Sequence, residues 1–172
     1  YFLKKKYNNK YFGWHLDPDH LKITTNSGVN WSIVQGLDSI GIGSVAFINK
    51  DTGWVSGATN IGYGRIYYTS NTGANWVKQY EEFSFAAFDI KFPTETKGWG
   101  GRSNFKVYAT SNGGNLWGFQ SIPINTVVKI FMLDSVSGWC GGGPKLLHTT
   151  NGGGNIVGIK SVNGEKKKNY VL

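Results

Sequence analysis

Thr69-Ser70-Asn71-Thr72-Gly73-Ala74-Asn75-Trp76 is one of four copies of an eight-residue box, and the spacing of those copies decides the fold. The others are Thr24-Thr25-Asn26-Ser27-Gly28-Val29-Asn30-Trp31, Thr110-Ser111-Asn112-Gly113-Gly114-Asn115-Leu116-Trp117 and Thr149-Thr150-Asn151-Gly152-Gly153-Gly154-Asn155-Ile156. Thr, Asn and Gly keep their places in all four, and Trp closes three. The box Asn recurs after 45, 41 and 39 residues. A regular period of that length marks a repeat architecture.

Each fixed residue has a role in a turn. Asn tolerates a left-handed backbone, and its side-chain carbonyl accepts from nearby N–H groups. Gly two positions on supplies a positive φ without a Cβ clash. Thr two positions earlier ties its hydroxyl into the same turn. Trp then starts a strand and buries a large ring. Asn26, Gly28, Trp31, Asn71, Gly73, Trp76, Asn112, Gly114, Trp117, Asn151 and Gly153 are therefore read as structural.

A second marker, Gly-Trp, interleaves with the first at Gly13-Trp14, Gly53-Trp54, Gly98-Trp99 and Gly138-Trp139. In the second repeat it divides the chain into strands near Ser44–Ile48, Trp54–Ala58, Arg65–Ser70 and Trp76–Tyr80. These are short, rich in β-branched and aromatic residues, and bounded by Gly, Asn and Asp. No window has a helical period. Four short strands per repeat describe a propeller blade. The sequence predicts an all-β propeller of about four four-stranded antiparallel blades, near residues 1–38, 39–82, 83–122 and 123–163. Residues 164–172 follow as a Lys-rich tail or closing strand. Trp14, Trp54, Trp99 and Trp139 are expected at equivalent places, as are Trp31, Trp76, Trp117 and Ile156. Truncating Trp76 to Ala is expected to cost about 3–5 kcal/mol, as for a buried aromatic.

The box resembles the Asp-box, or bacterial neuraminidase repeat, Ser/Thr-x-Asp-x-Gly-x-x-Trp, with Asn in the Asp place. Gly53-Trp54-Val55-Ser56-Gly57 followed by Arg65-Ile66-Tyr67-Tyr68-Thr69 is similar to the photosystem II assembly/stability factor branch of that group. The resemblance covers nearly the whole chain and implies a propeller. It spans sialidases, xyloglucanases, sortilin-type receptors and assembly factors, so it implies no single function.

Composition sets further bounds. The 172 residues suit one domain. No apolar run is long enough to span a membrane as a helix. The chain opens on Tyr1 without a signal peptide, so it is read as processed or as a fragment. The net charge of +8 is concentrated at the ends, where Lys4, Lys5, Lys6, Lys10, Lys166, Lys167 and Lys168 lie. The body between is nearly neutral. Nucleic-acid binding is not expected; weak attraction to anionic surfaces is. Cys140 is the only cysteine, which excludes an intrachain disulfide and reads as a packing residue.

One stretch concentrates metal-ligating groups: His15, Asp17, Asp19 and His20. Such groups can bind a divalent ion. Asp-Pro-Asp is equally an ordinary turn, and the spacing fits no established ligand motif. No metal or other cofactor is expected. The catalytic readings are poorly supplied. Sialidases hold a substrate carboxylate with three arginines, and this chain has two, Arg65 and Arg102. Glycosidases need two carboxylates facing across a cleft, and the ten Asp and Glu residues here are scattered.

The expected function is therefore a non-catalytic binding or scaffold propeller, secreted or on a cell surface, with a protein or glycan partner. The alternative is a glycan-active hydrolase related to sialidases or xyloglucanases. Tyr63 and Arg65 in the second repeat, with Arg102 and Phe105 in the third, are the candidate binding residues on adjacent loops. Alignment on the boxes puts Leu172 21 residues after Asn151, the register that Phe47 and Phe92 hold after Asn26 and Asn71. Tyr170-Val171-Leu172 is thus in register to begin a further inner strand. The chain is read either as a complete small ring, closed by that tail, or as part of a larger propeller whose edge needs another chain. An open edge invites pairing, so closure or assembly, self-association included, is expected over a free edge.

Overall fold

The computed structural model describes residues 4–7, 10–16, 20–37, 40–83, 89–102, 105–154 and 157–160. For 4–7 and 157–160 only the backbone is described. Tyr170–Leu172 and Ile156 lie outside these residues. All regular structure described is β, in four antiparallel sheets. Among the described residues there is no helix long and apolar enough to cross a membrane.

Blade one is β1 (Lys4–Tyr7), β2 (Gly13–Leu16), β3 (Leu21–Thr24) and β4 (Ser32–Ile33). Blade two is β5 (Gly41–Phe47), β6 (Gly53–Ala58), β7 (Tyr63–Thr69) and β8 (Val77–Phe83). Blade three holds β9 (Ile90–Lys91), β10 (Gly98–Gly101), β11 (Lys106–Thr110) and β12 (Trp117–Ser121). Blade four holds β13 (Lys129–Met132), β14 (Gly138–Gly142) and β15 (Lys145–Thr149). Each strand pairs with the next in sequence. The chain reverses through the box between the third and fourth strands of blades one to three.

The four-by-four expectation fails at one strand. β16 (Val157–Lys160) leaves β15 and pairs with β12, so blade three has five strands and blade four has three. The fourth box also differs from the others. The first three boxes place two consecutive residues at positive φ, such as Thr72 and Gly73. The fourth places three there, Gly152, Gly153 and Gly154, at φ 74°, 88° and 85°. Gly154 is thus an extra left-handed residue ahead of β16, and Gln120 Nε2 of β12 donates to its carbonyl at 2.8 Å.

The boxes form one hydrogen-bonded device. Thr Oγ1 accepts from the Gly N–H at 2.9, 3.0, 2.9 and 2.7 Å in the four copies. The same hydroxyl donates to the Asn side-chain oxygen. In the first three that oxygen accepts the N–H four residues on, at 2.9 Å each time. In the fourth it accepts from Gly153 N at 3.1 Å.

Three apolar clusters fill the three junctions between consecutive blades. Gly-Trp builds each of them. A Cβ on Gly53 would stand 2.2 Å from the Phe47 ring, so only Gly lets the inner strand press its ring onto the second strand. Phe47 then stacks on Trp14 of the preceding blade with centroids 4.0 Å apart. Phe92 lies likewise against Gly98 and stacks on Trp54 at 3.6 Å with a 3° interplanar angle. Met132 fills the same place against Gly138 and packs into the cluster of Trp99. The Gly thus admits its own blade's inner side chain, and the Trp covers the next blade's. The box tryptophans differ more than expected. Trp117 is fully buried, while Trp31 and Trp76 are half-buried. Trp76 packs edge-on to Phe47 rather than inside a closed core, which lowers its expected contribution.

Candidate binding face

Alternating strands give the blades two ends. One carries the boxes. The other carries the β6–β7, β10–β11 and β14–β15 loops and the connections between blades, and the candidate residues lie there.

Tyr63 opens β7 and its ring meets Phe83 edge-on at 5.3 Å. Arg65 pairs across the strands with Glu81, Nε to Oε2 2.5 Å, and Lys78 Nζ reaches the other oxygen at 3.0 Å. These two cations hold the Glu81 carboxyl below its usual range, Lys78 most strongly, against a smaller opposing effect of burial. Phe105 is 55% exposed and takes a left-handed backbone, φ 58°. That conformation is costly for an aromatic residue. It is held by Phe105 N donating to Asn125 O at 3.1 Å and Ile122 N donating to Phe105 O at 2.9 Å. Phe83 is 61% exposed and Ile61 66% exposed at the same end.

Arg102 is buried rather than displayed. Its Nη1 donates to Glu82 at 3.1 Å and to the Tyr108 hydroxyl, and its guanidinium lies 5.0 Å from the Tyr108 ring centroid. Glu82 also accepts from the hydroxyls of Tyr80, at 2.8 Å, and Tyr108. This tetrad clamps β8 of blade two to β10 and β11 of blade three. Burial, with the neighbouring Glu82 hydrogen bond, pushes the Tyr108 hydroxyl above its ordinary value. Burial together with Tyr108 does the same to Tyr80. Both phenols are therefore neutral at ordinary pH, a poor form for a nucleophile. Spacing alone distinguishes Arg102 from Arg65 in no way; only the tertiary contact with Glu82 does.

The inner strands enclose a cavity of about 580 Å³ walled by Trp14, Phe47, Phe92 and Phe131. Asp89, which sequence reasoning left among the scattered carboxylates, is its buried polar centre. Its carboxylate accepts from Ser44 Oγ of blade two at 2.9 Å, Lys91 Nζ of blade three at 2.8 Å and the Ile130 N–H of blade four at 3.1 Å. Burial alone would raise its pKa. Lys91, the Ile130 amide and Ser44 together outweigh burial and hold it below the ordinary value. Lys129 adds a second cation to the rim.

Two carboxylates of the boxed end, Asp51 and Asp134, serve turns. Asp51 accepts from Lys50 and from Thr72 of its own blade's box, which lowers its pKa. Asp134 is lowered by the N–H groups of Val136 and Ser137. In the metal-ligating stretch, Asp17 and Asp19 lie outside the described residues. His15 sits on β2 with its ring edge to Trp31 at 5.7 Å and its buried Nδ1 without a hydrogen bond among the described residues, while His20 is exposed. Among the described residues no three His, Cys, Asp or Glu side chains gather. Cys140 is half-buried, and burial raises its thiol pKa.

No protein-family model matches the chain. No curated protein matches it either. Solved structures do. YCF48 from Cyanidioschyzon merolae superposes with a TM-score of 0.63 at 13% identity, over 87% of this chain and 49% of that one. YCF48 bound to D1 peptide gives 0.57 at 15% identity, over 83% and 50%. An ancestral GH74 enzyme gives 0.69 at 18% identity, over 85% and 22%. The chain spans about half the length of the YCF48 structures and less of the GH74 enzyme. At these identities the likeness is one of fold, and the fold is a β-propeller.

Proposed function

We propose that this chain is a binding module, with its partner, a protein segment or a glycan, seated on the end opposite the boxes. One observation carries the reading: Phe105 is held exposed on a left-handed backbone, at the same end of the blades as the exposed Phe83 and Ile61. Strain kept at an exposed aromatic is characteristic of binding surfaces. The likeness to YCF48 bound to a peptide supports a protein segment as the partner. The boxes are read as Asp-box-type turns that brace the scaffold. The place of action is the cell exterior, secreted or surface-held.

The alternative is a glycan-active hydrolase, favoured by the aromatic cavity wall and the likeness to a GH74 enzyme. Asp89 is the carboxylate that faces that cavity among the described residues, and it is committed to three donors. Arrays of peptides and glycans probed with the chain and with Phe105→Ala separate the readings. Binding weakened at least tenfold by Phe105→Ala, with the fold intact by circular dichroism, supports the module. Hydrolysis of a β-glucan or sialoside that Asp89→Asn abolishes would overturn it.

A further inference from the structure

The second and third junctions use one donor set from the leading blade. In blade two it is Trp54 and Ile66, facing blade three. In blade three it is Trp99, Val107 and Ala109, facing blade four. Two further contacts complete the junction. The Trp54 indole N–H donates to the Gly113 carbonyl in the next blade's box at 3.2 Å, and Trp99 donates to Gly152 at 3.2 Å. Gln79 and Gln120 bridge each pair, accepting from the indole and donating to the same box carbonyl at 2.9 Å.

Strand register carries this set onto blade four. Trp139 pairs with His148 and Gly141 with Leu146, as Trp99 pairs with Ala109 and Gly101 with Val107. The donor set there is Trp139 and Leu146, joined by Phe131 opposite Trp139 on the inner strand. These residues line a groove of about 450 Å³. Leu146 is 72% exposed and Phe131 57%, where Ile66 and Val107 are buried. The Trp139 ring lies on His148 at 4.6 Å instead of on an inner-strand side chain of another blade.

We infer that this flank is a blade-docking surface, and that its occupant is a further blade of the same repeat. The occupant supplies an apolar side chain opposite its own Gly-Trp glycine, to stack on Trp139, and a box carbonyl for the Trp139 indole. The flank repeats in register the Trp and the apolar third-strand residue of the two preceding junctions, and an apolar sheet face of this kind gains from being covered. The first blade of a second copy fits it poorly. The row that faces backward in blade two is Val45, Val55 and Tyr67. The same register positions in blade one hold Lys5, His15 and Lys22. Lys22 would bring a cation toward Lys129 and Lys145 of the groove.

The test appends a second copy of residues 39–82 after residue 163 of the full chain. A Leu146→Cys reporter on a Cys140→Ser background is labelled with a thiol reagent in the chain and in the extended chain. Labelling slowed at least tenfold in the extended chain, at any protein concentration, is the expected result. Equal rates in both would overturn the inference. Protection in the unextended chain would overturn it too. If it grows with concentration, a second copy is the occupant; if it does not, the chain's own residues 161–172 are. Should the reporter variant not fold, exchange of the Trp139 indole proton reads the same contrast without substitution there. It is expected to slow at least tenfold on extension, and an unchanged rate counts against the docked blade.

Discussion

Trp54 and Trp139 open equivalent strands after the same glycine, yet they live in different surroundings. Trp54 is buried, stacked flat on Phe92, and hydrogen-bonded to the next blade's box. Trp139 is half-buried and lies on a histidine of its own blade. Identical local sequence therefore does not determine how much a residue contributes. A blade buries its forward tryptophan where another blade supplies a ring or thioether, and at two junctions a box carbonyl as well. The junction between blades one and two shows a third case. Trp14 is buried and stacked on Phe47, but Val34 stands where Gln79 and Gln120 stand later, and the Trp14 indole nitrogen has no hydrogen-bond partner among the described residues.

The largest effect should come from emptying a filled junction. Trp54→Ala should destabilise the chain by about 3–5 kcal/mol in chemical denaturation, the usual cost of removing a buried aromatic. A loss near that of an exposed residue would break the contrast with Trp139.

Asp89→Asn comes next, because it removes a buried carboxylate's ties to three blades. Its cost should be about 2–4 kcal/mol at neutral pH, tempered by the partial exposure of Lys91. The pH dependence has a definite sign. A carboxyl held lower in the folded state favours folding when ionised. That stability is present above the unfolded value, about 3.9. It is lost as pH falls through the lowered folded value. Wild type should therefore lose stability over that acid range, and Asp89→Asn should lose less. Parallel acid-unfolding curves would contradict the assignment.

Gln79→Ala and Gln120→Ala should each cost about 1–2 kcal/mol, since each leaves a box carbonyl and an indole with one partner fewer. Val34→Ala, the corresponding change at the first junction, removes only apolar packing and should leave the Trp14 indole unaffected. Indole-proton chemical shifts compare the three. Trp139→Ala should have the smallest effect, below about 1 kcal/mol in the chain as it stands, as for residues away from a closed core.

The repeat was legible because its turns demand special residues. Thr24, Asn26 and Gly28 occupy places that few other side chains can fill, so spacing alone located the strand reversals. Gly-Trp marked the second strand for a related reason: Gly53 must admit the Phe47 ring. The strand exchange of β16 was not legible, because it depends on Gln120 reaching the Gly154 carbonyl, a contact between blades. Asp89 and Arg102 were hidden for the same reason. A lone Asp before an apolar strand looks like any other, and only the fold brings Ser44 and the Ile130 amide to it. The recurrent Gln eight residues after the box Asn, at Gln79 and Gln120, was the one available signal of the junction bridge.

Hydrogen exchange of the individual indole protons, followed by NMR in the unmodified chain, tests most directly whether a blade is secured by its successor. The Trp54 and Trp99 protons should exchange slowly, because each donates to a carbonyl in the next blade. The Trp139 proton should exchange at least tenfold faster. Equal protection of Trp54, Trp99 and Trp139 would contradict the account.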